Sequence, residues 1–223
     1  MRIDPRHLPP GRPFRFDLPI WIGALSCLLV LGCGELKRRA YEGSGREDWQ
    51  QSEKVIQTLG IEAGDFIADV GAGGGYFTFD LAEATGPSGV VYAIDVDPDM
   101  TAYLEKRSQE VGADNVEVVL ADYDDPKIPS GGVDLLFSSN TYHHLQDRVA
   151  YFERTAKYLR PGGRIAIIEY KDDGGFHLFG HHYTDKDVIR GELEQAGFRL
   201  LSDHDFLEKQ NFLVFSIEAA QER

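Results

Sequence analysis

Short apolar runs alternate with amphipathic segments of helical length along most of this chain. The runs are five to seven residues long and are bounded by glycine, proline or aspartate, which is typical of buried strands. Seven runs are predicted to be strands: residues 66–70, 90–94, 116–120, 133–137, 165–169, 198–204 and 212–218. The alternation with helices predicts an α/β fold.

Helical periodicity and turn signals separate these strands. Helices are predicted over residues 76–84, from Asp97 to Gly112, over residues 147–159 and from Thr184 to Gly197. Asp97 is the predicted N-cap of the second helix, and Pro161-Gly162-Gly163 is predicted to end the third. The last two strands are joined by a turn too short for a parallel crossover. We therefore expect a Rossmann-like, seven-stranded, mostly parallel sheet with an antiparallel last strand and helices on both faces.

The start of the chain follows a different pattern. Residues 18–32 are apolar and uncharged, and they follow a basic segment. This run is shorter than the roughly 20 residues of a membrane span and has the length of a signal-peptide core. It ends in Val30-Leu31-Gly32-Cys33, which resembles a bacterial lipobox with Cys33 as the lipidated residue. The alternatives are a buried helix and a mis-assigned start, which would leave the protein cytoplasmic rather than exported or lipid-anchored in the bacterial envelope.

These patterns predict three parts: a signal segment over residues 1–33, an arm and helix over 34–62 that could cap the site, and a domain over 63–223. The formal net charge is −14, from 23 Lys and Arg against 37 Asp and Glu. Residues 1–17 carry four Arg and two Asp, or +2, and residues 18–33 carry no charge, so 34–223 carries −16. This balance argues against a nucleic-acid partner. The cysteines, Cys27 and Cys33, both precede the domain, which therefore has no cysteine nucleophile or thiolate metal ligand.

A glycine-rich turn follows the first predicted strand. Its sequence, Asp69-Val70-Gly71-Ala72-Gly73-Gly74-Gly75, has the spacing G-x-G-x-G. A dinucleotide fingerprint would need a small residue at position 76, where this chain has Tyr. A P-loop would need Lys-Ser/Thr after the turn, so neither phosphate-binding pattern is present. Tyr76 thus argues against a nicotinamide-dependent oxidoreductase, which we retain as an alternative.

Acidic residues follow the next strands. Asp95 could accept hydrogen bonds from both hydroxyls of a ribose diol. Asp122 could accept a hydrogen bond from an exocyclic amine, and Tyr123 offers its backbone N–H as a donor. Asp69 could face an ammonium group. An acid-lined pocket of this kind favours a cationic nucleoside-like ligand.

Together these motifs resemble those of class I S-adenosylmethionine-dependent methyltransferases. The resemblance covers roughly residues 46–218 and includes Leu159-Arg160-Pro161-Gly162-Gly163. Within that superfamily, residues 133–137 and 142–145 are most similar to the ubiquinone and menaquinone biosynthesis branch. The resemblance implies S-adenosylmethionine as cofactor, with the ribose at Asp95 and adenine at Asp122 and Tyr123. The full predicted cofactor site is Asp69, Gly71, Ala72, Gly73, Gly75, Asp95, Val96, Asp122, Tyr123, Ser138 and Ser139.

The exit of the fourth strand is the predicted place of methyl transfer. It reads Asn140-Thr141-Tyr142, without the prolines of amino-directed methyltransferases. His143, His144 and Tyr142 are the candidate catalytic residues, as a base or as substrate contacts. The alternatives are a hydrogen-bonding histidine pair at a helix start and a core tyrosine.

Two further segments could border the acceptor. His177, His181 and His182 lie close together, but they lack a zinc-protease spacing and a cysteine partner, so we expect a substrate-covering loop and no metal. In the arm, Tyr41 or Trp49 could cap the cofactor. The resulting hypothesis is methyl transfer to a small-molecule acceptor by in-line displacement. The alternative from another class is a non-catalytic, cofactor-binding envelope lipoprotein.

Overall fold

The structure is a computed structural model, and it describes residues 46–171 and 183–217. Its strands are β1 (Phe66–Val70), β2 (Val90–Asp95), β3 (Val116–Leu120), β4 (Val133–Ser139), β5 (Leu159–Tyr170), β6 (Phe198–His204) and β7 (Gln210–Ile217). Its helices are α1 (Glu47–Gln50), α2 (Ser52–Leu59), α3 (Thr78–Thr85), α4 (Pro98–Val111), α5 (Arg148–Thr155) and α6 (Lys186–Gln195). Short 3-10 turns cover Tyr142–His144 and Ala156–Tyr158.

The strands form one sheet in the order β3-β2-β1-β4-β5-β7-β6. Strands β1 to β5 are parallel to one another, and β7 lies antiparallel between β5 and β6. The predicted fold class is confirmed. The short β6–β7 connection makes that pair antiparallel, because a crossover to a parallel neighbour needs a dozen or more residues.

Both faces of the sheet are buried, which explains why its central strands are almost continuously apolar. On one face, Phe152 and Ile189 of α5 and α6 pack with Leu136. On the other face, Leu59 and Leu81 of α2 and α3 pack with Leu135. Leu135 and Leu136 are consecutive residues on opposite faces, as the pleat of a strand requires. Helices on both faces leave the carboxyl ends of the parallel strands as the open edge.

Three predicted boundaries are wrong. Pro161 to Gly163 lie inside β5, which begins at Leu159 rather than at residue 165. Leu159 and Arg164 pair with Val133 and Leu135 of β4, and the residues between them, which include Gly162 with a φ of 83°, form an irregularity in this pairing. The preceding helix ends at Thr155 and tightens into a 3-10 turn, so Pro161 is not its terminator. In addition, α3 begins at Thr78 rather than at residue 76, because the glycine turn extends further than expected.

Several sequence predictions lie outside the described residues. They are the signal segment with Cys33, Tyr41 of the arm, and the histidines His177, His181 and His182. Within the ranges that the structure does describe, no helix is long and apolar enough to cross a membrane.

The 3-10 turn after β4 is anchored to the helical layer. Tyr142 is fully buried, stacks on Phe152 at 5.7 Å between ring centroids, and donates its hydroxyl to Glu192 Oε2 at 2.6 Å. Arg148 donates to both oxygens of the same carboxylate, at 2.7 and 2.9 Å. This bidentate ion pair holds α5, α6 and the turn together. The buried hydroxyl and the neighbouring carboxylate raise the pKa of Tyr142.

Replacing Tyr142 with Phe tests this anchor. The ring packing is kept and one hydrogen bond is lost, so we expect the free energy of unfolding to fall by about 1 kcal/mol. Urea denaturation followed by circular dichroism measures it. Lys186→Met is the control, because the Lys186–Asp203 ion pair is exposed and should matter little. An unchanged midpoint for Tyr142→Phe would contradict a stabilising role for this hydrogen bond.

Candidate active site

A cavity of about 440 Å³ opens at the carboxyl ends of the parallel strands. Its walls come from the turn after β1 and from the ends of β2, β3 and β4. The strand order reverses between β1 and β4, which is where open α/β sheets bind their ligands. The volume lies in the range of small-molecule sites, which is roughly 300–1,000 Å³.

The glycine turn gives the cavity a wall of backbone. Gly71 N and Ala72 N donate to Ile94 O at 2.8 and 3.0 Å, which fixes the turn against β2. Gly71 has a φ of 78°, and a Cβ added there would lie 2.1 Å from Thr141 Oγ1. A side chain at position 71 is therefore excluded by conformation and by space. Gly71, Ala72, Gly73 and Gly74 all line the cavity.

Gly75 is placed differently from the prediction. It is buried and is not among the described residues that line the cavity. A Cβ at this position would lie 2.7 Å from the Phe79 ring and 2.9 Å from Leu104 Cδ2. The missing side chain thus leaves room for Phe79 of α3 and Leu104 of α4 to lie against the glycine turn.

Asp95 connects the end of β2 to the glycine turn. Its Oδ2 accepts from Gly73 N and its Oδ1 from Asp97 N, both at 2.9 Å. The half-buried carboxylate lines the cavity, and each oxygen has a further lone pair for a ligand hydroxyl. Asp97 also lines the cavity, and it is the N-cap of α4 as predicted, accepting from Asp99 N at 2.9 Å.

The outer rim of the cavity is formed by Val96, Asp122 and Tyr123, as the sequence suggested. The side chains of Val96 and Tyr123 are exposed, so the rim offers a surface for a flat ring. Asp122 lies 2.8 Å from Lys127 Nζ in an ion pair that is exposed on both sides. Such a pair is weak and leaves the Asp122 carboxylate accessible to a ligand amine.

Asp69 is the buried acid of the site. It is 3% exposed and its Oδ2 accepts from Thr78 Oγ1 at 2.6 Å. Burial raises the pKa of Asp69 to about 7, the Thr78 hydrogen bond opposes this shift, and the charge of Asp95 adds to it. The carboxyl group therefore changes charge near neutral pH.

Arg46 also lines the cavity, although the sequence pattern did not predict it as a site residue. Its guanidinium lies 4.3 Å from the centroid of the Tyr76 ring, and its Nε donates to Gln50 Oε1. Burial lowers the pKa of Arg46, whereas the charge of Asp69 raises it. The feature of the sequence that could have identified Arg46 is a basic residue in the arm that precedes an acid-lined site.

The arm reaches the site through Arg46 rather than through Trp49. Trp49 packs against Tyr170 with 5.8 Å between ring centroids and is not among the described cavity residues. Tyr76 donates its hydroxyl to Glu47 Oε2 at 2.6 Å, which joins α1 to the glycine turn. Gln50 Nε2 donates to Ser139 Oγ at 3.3 Å, which joins α1 to the end of β4.

Some of the predicted site residues at the exit of β4 line the cavity, and others do not. Ser139, Asn140, Thr141, His144 and Leu145 line the cavity. Among the described residues, Ser138, Tyr142 and His143 do not line it, and Ser138 is buried within the sheet. Of the three candidate catalytic side chains, the structure thus brings His144 to the wall of the cavity.

Comparison with known proteins agrees with this geometry. Residues 67–163 match a family model described as a methyltransferase domain. Aklanonic acid methyltransferase DauC of Streptomyces sp. (strain C5) is 29% identical over 57% of this chain and 66% of its own length. Nocamycin O-methyltransferase of Saccharothrix syringae is 32% identical over 57% of this chain and 46% of its own. The chain thus spans between about half and two thirds of these curated relatives.

Solved structures extend the similarity over most of the chain. The crystal structure of a SAM-dependent methyltransferase from Aquifex aeolicus has a TM-score of 0.74 and 26% sequence identity, covering 81% of this chain and 97% of that one. Magnesium protoporphyrin IX methyltransferase from Synechocystis, solved with bound S-adenosylhomocysteine, shares the fold with a TM-score of 0.64, at 18% identity over 84% of this chain and 94% of that one. The family model and the Aquifex aeolicus structure support an S-adenosylmethionine-dependent methyltransferase domain with S-adenosylmethionine as its cofactor.

The pKa of Asp69 predicts a pH-dependent stability. The folded state holds a proton that the unfolded state, with a pKa of 3.8, has already lost. The contribution of Asp69 to the free energy of unfolding therefore falls as the pH rises from about 4 to about 7, by at most about 1.4 kcal/mol per pH unit. Asp69→Asn cannot ionise, so it should gain stability relative to the wild type across this window. Urea unfolding at several pH values measures the difference, and a difference independent of pH would contradict the raised pKa.

Proposed function

We propose that this protein transfers the methyl group of S-adenosylmethionine to a small-molecule acceptor. The observation that carries the proposal is the charge pattern of the cavity. Asp69, Asp95, Asp97 and Asp122 line it, and Arg46 is the one Arg or Lys among its described lining residues. A sulfonium nucleoside with an amino-acid end matches this pattern, because it carries two positive charges and one carboxylate.

The residues present fit the cofactor in three places. The Asp95 carboxylate, fixed by two backbone N–H groups, would hold the ribose hydroxyls. The exposed rim at Asp122 and Tyr123 would hold the adenine. Arg46 and Asp69 lie on the same cavity and would hold the carboxylate and the ammonium of the amino-acid end.

When bound, the cofactor supplies an electrophilic methyl group. The chain's own residues bind, orient and exclude water, since in-line displacement depends chiefly on alignment. The acids bind a cation whose charge disappears during transfer, so they contribute to affinity more than to rate. The near-neutral pKa of Asp69 limits how strongly it would hold that cation.

A small-molecule acceptor agrees with two findings. The net charge of −14 disfavours a nucleic-acid substrate. Two relatives carry the names of small molecules, aklanonic acid and nocamycin. A closer similarity to ubiquinone and menaquinone methyltransferases is supported by the sequence of residues 133–137 and 142–145.

Calorimetry with two ligands tests the cofactor site. S-adenosylhomocysteine carries the amino-acid end, and 5′-methylthioadenosine lacks it. We expect the wild type to bind S-adenosylhomocysteine more tightly than 5′-methylthioadenosine. Arg46→Met should weaken S-adenosylhomocysteine binding by about 10-fold to 100-fold, the worth of a charge-assisted hydrogen bond, and should leave 5′-methylthioadenosine binding unchanged.

Lys54→Met is the matched control for that experiment. Lys54 is a cation of α2 whose Nζ lies 4.2 Å from the centroid of the Phe206 ring, and it is not a cavity residue. Its loss should change neither affinity. Equal weakening of both ligands by Arg46→Met would refute the role of Arg46. No binding of S-adenosylhomocysteine to the wild type would refute the proposed function, and tight binding of NADH would favour an oxidoreductase.

We propose further that the chain is exported and anchored at Cys33, on the strength of the apolar run over residues 18–32 and the lipobox-like Val30–Cys33. Full-length protein expressed in bacteria should then occur in the membrane fraction and incorporate labelled palmitate. Cys33→Ser should lose the label. Recovery from the cytosol with an intact Met1 would contradict the anchor, and cofactor binding without transfer to any acceptor would favour a non-catalytic envelope protein.

A further inference from the structure

Glu169 is a buried carboxylate next to the candidate acceptor end of the site. It lies near the end of β5 and is 0% exposed. Its Oε1 accepts from Tyr170 N at 2.7 Å and from His143 Nδ1 at 2.9 Å, and its Oε2 accepts from His143 N at 3.1 Å. One carboxylate thus binds a single histidine at both its backbone and its ring.

This double contact determines the state of the His143 ring. Because the carboxylate oxygen accepts from Nδ1, that nitrogen carries a proton, and the basic lone pair of the neutral ring lies on Nε2. The side chain of His143 is 6% exposed, so the ring has little freedom to turn. The backbone contact holds the 3-10 turn in place as well.

The fixed ring lies against the histidine that reaches the cavity. The ring centroids of His143 and His144 are 4.0 Å apart, with 50° between their planes. His144 lines the cavity between Thr141 and Leu145. Glu169, His143 and His144 therefore form a continuous polar group from the core to the cavity wall.

The carboxylate of Glu169 lies directly against this pair of imidazoles. Within the described residues, the ion-pair partner of Glu169 is His143. A negative carboxylate in a buried position stabilises a positive charge that arrives on a neighbouring ring. This is the property that a proton acceptor requires.

We propose that Glu169 and His143 position His144 as the proton acceptor for a methyl acceptor that carries a hydroxyl group. This inference rests on the proposed function. A lone pair of the acceptor oxygen forms the new bond to the methyl carbon, and the electron pair of the broken C–S bond stays on sulfur. The hydroxyl proton passes to the His144 imidazole and then to solvent, so one cation replaces another and no further reactant is needed.

The class of acceptor follows from the need for a base. A neutral amine has a lone pair available and can lose its proton after transfer. A hydroxyl group must lose its proton as the methyl group arrives, so a positioned base accelerates that reaction specifically. A buried carboxylate–histidine pair behind the cavity wall is therefore expected for transfer to oxygen.

Other ionisable groups near this cluster are known from the structure. From β5, Tyr170 follows Glu169 in the chain; burial raises the pKa of Tyr170, Arg46 of the arm lowers it, and the charge of Glu169 adds to the rise. From α5, Tyr151 lines the same cavity, and burial raises its pKa. On the far side of the turn, Glu192 of α6 is paired with Arg148 and Tyr142.

The test uses labelled S-adenosylmethionine with phenol, 4-nitrophenol and aniline as acceptors. At about pH 8, 4-nitrophenol is ionised and phenol is protonated, so only phenol needs a base. We expect the wild type to methylate the phenols and not aniline. Glu169→Gln should lower kcat with phenol by at least about 100-fold, should leave kcat with 4-nitrophenol nearly unchanged, and should move the acid limb of the pH profile to lower pH.

The control variant removes another carboxylate that is partly buried. Asp134→Asn is at the opposite end of β4, where Asp134 pairs with Arg160 at 2.8 Å and accepts from Phe66 N at 2.9 Å. It should leave the pH profile unchanged, and Glu169→Asp should restore part of the rate with phenol. Both Glu169 variants should bind S-adenosylhomocysteine like the wild type.

Three results would overturn the inference. They are transfer to aniline alone or to none of the acceptors, an equal loss with phenol and 4-nitrophenol in Glu169→Gln, and the same loss in Asp134→Asn. S-adenosylhomocysteine binding shows whether the inference about Glu169 or the proposed function itself has failed. A wild type that binds this ligand keeps the cofactor site, whatever the fate of Glu169.

Discussion

The close approach of two parallel strand ends is the constraint on which the site depends. The turn after β1 and the exit of β4 meet at Gly71 and Thr141, where no Cβ fits on the glycine. This contact requires a positive φ at Gly71 and turns backbone rather than side chains toward the cavity. The same turn is bound to β2 through Ile94 O and Asp95. The contact between Gly71 and Thr141 therefore both holds the strand ends together and shapes the wall of the cavity.

Several acidic residues lie at the carboxyl ends of the strands, and the alternation of strands and helices in the sequence explains why. The carboxyl ends of parallel strands lie together, so Asp69, Asp95 and Asp122 meet although they are far apart in the chain. Their surroundings then differentiate them. Asp69 is buried and titrates near pH 7, Asp95 is held by two backbone donors, and Asp122 is exposed beside Lys127. Equivalent positions in the pattern therefore become chemically different groups.

The sequence predicted the fold class and the location of the cavity, because apolar periodicity and glycine spacing are local properties. It could not predict which residue of the arm reaches the site, since Arg46 is placed by its contacts with Tyr76 and Gln50. The start of β5 was missed because Pro161 and Gly162 usually end a strand, whereas here they lie in an irregular stretch between Leu159 and Arg164, which pair with β4. Gly75 belongs to the predicted motif but leaves room for the side chains of Phe79 and Leu104 rather than for a ligand.

The turn after β4 shows how three adjacent residues acquire three functions. A 3-10 helix has three residues per turn, so consecutive side chains point about 120° apart. Tyr142 accordingly enters the core and binds Glu192, His143 binds Glu169, and His144 reaches the cavity. Two carboxylates on different elements thus hold the turn from two directions. An α-helical geometry would not divide these positions evenly, so the tight turn is itself part of how His144 is presented to the cavity.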